Sequence, residues 1–411
     1  MNYELFIAKR IIAGKKYKSS ISSPIIKIAI TAIALGIIIM LIAVATGSGL
    51  QYKIRDKMAG FKGHIQIVNF DANNSDVSVI PVEKNQDFYP KFKNISGIKN
   101  VQIFGNKAGI LRTETDFEGI IFKGVSTDYN WTFFKEYLIA GKLPDFNKDR
   151  TTDVLLSETI MNRLQLKLND TILATFIKTE TSKLPSNSKY AISGIYNTGF
   201  LEFDKSMMIG DIREVQRLNK WSENEVGGFE VLLNNFNEID AKGKEIYNAT
   251  ASTLNSKTIL EMYPSIFEWI ELFDNNVWVI IGIMIIIAGI NMITALLVLI
   301  LERVQMIGIL KALGSSDTSI RKIFLYNASY LILKGLFWGN IIGLSIIGIQ
   351  HYFKIITLNP ETYYVSTMPV HISVGAIIAL NMGTLLLCFL MLIIPSFIIT
   401  KIEPSKSIKF A

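Results

Sequence analysis

The chain has 411 residues, half of them hydrophobic, with 42 basic and 35 acidic side chains and a formal charge of +7. That composition excludes a disordered polar chain and leaves apolar surface for a core of several hundred residues. Its single cysteine, Cys388, excludes an internal disulfide, so a domain outside the cytoplasm must fold on packing alone.

Residues 1–23 read as a basic amphipathic arm. The first apolar block, 24–48, has one charge, Lys27, near its start, where the ammonium can snorkel. The block is too long, and starts too far in, for the apolar part of a cleaved signal sequence. The glycines of GSGL at 47–50 are expected to let this helix change direction. Residues 49–276 read as a soluble α+β domain. HIQIVNF at 64–70 alternates as a strand does, and VQIFGNKAGILRTE and FEGIIFKGVS read as paired strands. YNWTFFKEY reads as a short aromatic helix followed by a Gly and Pro turn. Residues 153–177 read as strand, helix capped by Ser157, turn and strand. KYAISGIYNTG and FEVLLNN are further strands, with helices expected from about Ile212 and after Ala241. EMYPSIFEWIELF at 261–273 reads as an amphipathic helix feeding the second span.

Residues 277–301 are apolar without a single charge, and Asn291 within them is expected to hydrogen-bond to another helix. A short part-charged segment, 302–322, precedes a third block, 323–350, whose Lys334 should face protein or a wet cavity. A loop at 351–371, a fourth block at 372–399 and a tail at 400–411 complete the chain. Each block is long enough to cross a hydrocarbon core of about 30 Å. The fold class is therefore a multi-pass α-helical membrane protein with four transmembrane helices. A large extracytoplasmic α+β domain is inserted between the first and second.

Charge sets the orientation. Residues 1–27 carry six basic side chains and one acidic, 302–322 four and two, and 400–411 three and one. Residues 50–276 carry 27 basic and 30 acidic. Positive flanks belong in the cytoplasm, so both termini and 302–322 are expected there and the large domain outside. The same placement accounts for the +7 charge and removes any argument for nucleic acid. The three histidines, at 64, 351 and 371, lack metal-site spacing, and neither a G-x-x-x-x-G-K-[ST] loop nor G-x-S-x-G is present. The pattern points away from an enzyme.

In LERVQMIGILKALGSS, 301–316, Met306, Leu310 and Leu313 recur at i, i+4 and i+7, with Val304 and Ile307 widening the stripe. Lys311 suits the helix C-terminus, Gly314 a left-handed cap, and Ser315, Ser316 or Asp317 the start of the next helix. An interfacial helix lying among headgroups is the competing reading.

Four stretches carry a resemblance: AIALGIIIMLIAVATGSGLQYKIRDKM, GINMITALLVLILERVQMIGILKALGSS, LNPETYYVSTMPVHIS and KIEPSKSIKF. With these the chain resembles the permease subunits of lipoprotein-releasing ABC transporters, the LolC/LolE family, within the FtsX-like and MacB-like permease group. It departs from the family at ATGSGLQ, where a Met, Asn and Gly run is usual. The resemblance implies the inner membrane of a Gram-negative bacterium and a cytoplasmic ABC ATPase dimer that binds ATP and magnesium. This chain would bind no cofactor itself. It also implies a second permease chain, an acylated lipoprotein as cargo and a periplasmic lipoprotein carrier.

On that resemblance Glu302, Arg303, Met306, Ile307, Leu310, Lys311 and Gly314 belong to a helix that couples to the ATPase. Ile39, Met40, Ala43 and Thr46 with Ile283, Ile287 and Met292 would line the cavity for acyl chains, or else face lipid. Lys183 and Pro185, in TETSKLPSNSKY, would contact the carrier, although an ordinary hairpin loop is the plainer reading. Two other readings stay open. One is a mechanotransmission permease that drives an outer partner without moving lipid, and the other is a membrane scaffold or signalling subunit that needs no ATPase.

Overall fold

The computed structural model describes residues 3–13, 22–72, 76–147, 149–176 and 185–403. It divides into two compact units, one of residues 1–50, 270–356 and 368–411 and one of residues 51–269 and 357–367. The chain opens with α1 (Tyr3–Ala13) and α2 (Ser22–Lys62). The α2 helix runs unbroken through Gly47 and Gly49, so the expected change of direction does not occur. Gly49 is needed for another reason: a Cβ there would stand 2.6 Å from the Pro369 carbonyl oxygen. The helix ends where Gly63 takes φ +70° and returns a hydrogen bond to Ala59 O at 2.8 Å, a left-handed stop that a side chain would strain.

The second unit is the α+β domain. Its strands are β1 (Ile65–Asn69), β2 (Val82–Glu83), β3 (Ile98–Arg112) and β4 (Phe117–Val125), then helix α3 (Thr132–Tyr137) and β5 (Leu138–Gly141). There follow β6 (Asp153–Ser157), α4 (Glu158–Arg163), β7 (Thr171–Phe176), β8 (Ser186–Tyr196), β9 (Met207–Asp211) and α5 (Ile212–Asn219). The unit continues with β10 (Glu225–Val226), β11 (Gly228–Leu233), α6 (Ile239–Ala249) and β12 (Leu254–Thr258). Strands β12, β1, β11 and β3 form one antiparallel run. Beyond it the pairing closes on itself: β3–β4–β9–β6–β8–β7–β3 is a ring of hydrogen-bonded neighbours. Phe122, Tyr190, Phe176, Leu156 and Met208 belong to the cluster that fills this ring, each almost fully buried. Alternation explains the choice, since residues two apart share a face.

The expected strands and their pairing are present, as is the Ser157 cap, whose Oγ accepts from Ile160 N at 3.1 Å. The aromatic helix is followed by strand β5 where only a turn was expected. The segment 357–367 also belongs to this unit. Lys57 Nζ donates to Tyr364 O at 3.0 Å, and the Tyr364 ring lies 5.1 Å from Phe200 and 5.6 Å from Trp269.

The first unit is helical. Besides α1 and most of α2 it contains most of α7 (Pro264–Glu302) together with α8 (Val304–Ala312), α9 (Asp317–Phe353) and α10 (Val374–Ser396), the last continued by a 3₁₀ turn, Phe397–Lys401. The helices α2, α7, α9 and α10 are long and apolar enough to cross a membrane. Glycines 335, 339 and 343 let α9 approach α2 closely. A Cβ on Gly339 would lie 2.8 Å from Ala34 O, and one on Gly335 would lie 2.8 Å from Ile33. Small residues four apart serve this purpose in lipid.

One sequence expectation is corrected in this unit. Asn291 donates to Ile287 O of its own helix at 3.0 Å instead of reaching across. The interhelical pair is Asn340 with Asn381, joined in both directions at 2.6 and 3.0 Å. Lys334 is exposed on the surface of the unit, with Tyr330 and Phe337 on the same face, and is not enclosed by its own chain. Its long stem permits this, because it can carry the ammonium toward the interface.

Candidate coupling site

Helix α8 is made by its ends. Arg303 leaves helical geometry (φ −109°, ψ 17°), which separates α8 from α7. At the other end Gly314, at φ +89°, donates to Lys311 O at 3.0 Å, and Ser315 N donates to Leu310 O at 2.9 Å. That pair of bonds is a Schellman cap. Ser316 then caps α9, its Oγ accepting from Ser319 N at 3.3 Å. The turn between the two helices is thus fixed by three consecutive residues.

Ile307 and Gly308 are buried, and Met306 and Leu310 pack partly against the core of the membrane unit. Ile309 is 52 % exposed and Leu313 78 % exposed, and Leu301 on the preceding helix is 66 % exposed. Met306 and Leu310 of the expected stripe thus turn largely inward, and the open apolar surface is Leu301, Ile309 and Leu313. Glu302 and Gly314 are exposed, and Arg303 is half-buried.

Lys311 does more than complement a helix dipole. Its Nζ donates to Ile399 O and Ile402 O, each at 2.9 Å, and pairs with Asp317 Oδ1 at 2.8 Å. It therefore ties α8 to the carbonyls that end the turn after α10 and to the first residue of α9. Arg321 adds a second tie, its Nε 3.1 Å from Ser396 Oγ and its guanidinium 3.7 Å from the centre of the Phe397 ring. Helix α1 closes the group, with Tyr3 Oη 3.4 Å from Ser315 Oγ and Ser319 Oγ donating to Glu4 Oε1 at 2.9 Å. Its own backbone N–H, and then Ser319, hold the Glu4 carboxyl below the usual range. The result is a short helix with a bare apolar face, held at its C-terminal end by the Lys311 bonds to α9 and to the segment after α10, with α1 bonded to the turn that follows.

The other sequence-derived site residues do not all share an environment. Met40 and Met292 are fully buried in the helical core, Ile39, Ala43 and Thr46 are half-buried, and Ile283 and Ile287 are 49 % and 43 % exposed. Ile283 and Ile287 share their α7 face with Val279, Ile286 and Ile290, all exposed. Pro185 is exposed immediately before β8, and Lys183 lies outside the described residues. The Lys311 ties and the Asn340–Asn381 pair escaped sequence reasoning, which saw residue types without their partners.

Residues 278–404, from within α7 to beyond α10, match the FtsX-like permease C-terminal family. That stretch of the chain is an FtsX-like permease region. Over 99 % of both chains the protein is 22 % identical to the lipoprotein-releasing system transmembrane protein LolC of Neisseria meningitidis serogroup B. It is 18 % identical, again over 99 % of both chains, to LolE of Haemophilus influenzae. The periplasmic region of MacB from Actinobacillus actinomycetemcomitans aligns in structure with 50 % of this chain and 92 % of its own length, at 14 % identity and a TM-score of 0.34.

Proposed function

We propose that this permease is the membrane subunit of an ABC transporter that releases acylated lipoproteins from the inner membrane to a periplasmic carrier. A separate ATPase drives it, and a second permease chain completes it. The observation that carries this reading is the end-to-end likeness to LolC, which spans both units and not the permease region alone. The geometry of α8 supports the ATPase partner: a short rigid helix with exposed Ile309 and Leu313 suits a groove and passes on a push. The exposed apolar face of α7 supports a second chain, since lipid and protein can both cover it but only protein gives it shape.

Physical chemistry makes the energy source necessary. Each buried CH₂ of an acyl chain is worth about 0.8 kcal/mol. A lipoprotein with three long chains is held far more tightly than a soluble carrier can match by binding alone. Squeezing an apolar cavity at the expense of ATP removes that barrier.

The test is purification of the full chain from its native membrane, followed by reconstitution with the ATPase that accompanies it. ATP-dependent transfer of triacylated lipoprotein from vesicles to a soluble carrier is the expected result. An ATPase that hydrolyses ATP while the lipoprotein stays in the bilayer would move the reading to mechanotransmission. Recovery of no ATPase at all would leave the scaffold reading.

A further inference from the structure

The last turn of α2 is gripped from the sheet by charged side chains in a dry interior. Lys123 on β4 is 1 % exposed and Glu230 on β11 is fully buried. The Lys123 ammonium donates to both Glu230 carboxylate oxygens, at 2.6 and 2.8 Å, and to Phe61 O at the end of α2. All three of its protons are therefore used. Tyr129 Oη donates to the neighbouring helix carbonyl, Gly60 O, at 3.0 Å. The carboxylate is completed by the amides of Gln66 and Gln102, at 3.1 and 2.9 Å.

Burial pushes the Lys123 ammonium down from its ordinary range and Glu230 pulls it back. A pair of this kind is a poor source of stability, because well-packed apolar side chains of the same volume commonly do as well or better. What it supplies is direction. The final carbonyls of a helix carry its negative end. Here one nitrogen fixes one of them, Phe61 O in the last turn, against two strands at once, while the Phe61 ring packs on Phe134 and Phe203 at 5.4 and 4.7 Å.

We propose that Lys123 and Glu230 are positioning residues that lock the end of α2 in a single rotation about its axis on the sheet. Motion of the helix is then handed to the domain without slippage. This rests on the transporter reading for what the motion serves, while the lock itself can be measured without it.

The experiment uses the full chain in lipid nanodiscs with Cys388→Ala. Spin labels are placed on cysteines at Tyr52, on α2, and Phe117, on β4, which are 56 % and 73 % exposed. Electron–electron dipolar spectroscopy should give one narrow distance distribution. In Lys123→Met/Glu230→Gln, which removes both charges and keeps an amide oxygen for the glutamines, the width should at least double. Tyr129→Phe should broaden it less. With ATPase and lipoprotein present, the double variant should hydrolyse ATP at the parental rate while release per ATP falls at least fivefold. An unchanged width in the folded double variant overturns the lock. If that variant does not fold, an unchanged width in Tyr129→Phe overturns it. Broadening in a chain whose parent releases no lipoprotein would sink the transporter reading and leave the lock standing.

Discussion

His64 sits between α2 and β1 with its Nδ1 accepting from Leu233 N at 2.9 Å, so its own proton is on Nε2 and the ring is neutral. Burial, with Lys99 adding to it, lowers its pKa to about 4 from 6.5. An unfolded chain takes up the proton below 6.5, and the folded one resists until about 4. The stability His64 contributes is therefore complete above 6.5 and is lost as the pH falls toward 4. Asp204 works in the opposite sense. Burial raises it to about 6 against hydrogen bonds from Thr198 and Gly199, so its contribution is complete below 3.8 and lost as the pH rises past 6. Only a comparison of variants separates the two. Denaturation of the full chain in detergent at pH 7 and pH 5 should show wild type losing about 1–2 kcal/mol more than His64→Gln. Equal losses would mean that the ring is already charged in the fold. The Asn340–Asn381 pair is a second test at this scale. Each amide also donates to a carbonyl of its own helix, at 2.7 and 2.8 Å, so neither is stranded if its partner is removed. A double-mutant cycle with leucine at each position should give a coupling of about 0.6–1.7 kcal/mol, and a value near zero would make the pair incidental.

Among the elements, the approach of α9 to α2 depends on what Gly335, Gly339 and Gly343 lack. Gly339→Leu must displace the Ala34 carbonyl, whereas Gly348, with nothing within 4 Å of its Cβ position, has room for Ala. The first change should lower the melting temperature of the purified chain by several degrees, and Gly348→Ala should leave it within about a degree. Equal effects would show that helix propensity, not approach, is being measured. The glycine spacing stands in the sequence, yet a search for apolar length passes over it. Strands β3, β4 and β8 were legible because alternation survives in them. β12 was not, because LNSKT is mostly polar and its partner β1 lies far off in the chain. The closed ring was illegible for the same reason: β3 meets β7 through Gly109↔Phe176, a register set by distant residues. For the coupling site, the sequence marked both ends of α8 through Gly314 and Ser316. It marked the apolar residues without their destination, since period alone does not say which side of a nine-residue helix meets the core.

At the scale of the whole molecule, the orientation expected from charge is open to direct labelling. With Cys388→Ala, a cysteine at Leu313 should react with an impermeant maleimide only from the cytoplasmic face, and one at Phe117 only from the opposite face. The reverse pattern would end both the topology and the coupling reading. Given that topology, the apolar face of α8 has two uses to separate, an ATPase groove and the headgroup layer. Burying Ile309 and Leu313 against protein is worth about 1.5–3 kcal/mol for each side chain. Leu313→Asp should therefore cut recovery of the ATPase with the chain by tenfold or more. It should leave the melting temperature unchanged, because Leu313 is 78 % exposed. Ile307→Asp, at a fully buried position, should unfold the membrane unit instead. If α8 only floats among headgroups, Leu313→Asp will weaken its hold on the membrane and the ATPase will still come down with the chain. Glu302→Lys separates the two cases further. A positive charge favours anionic lipid, so the variant should leave a floating helix in place while changing the salt dependence of a docked one.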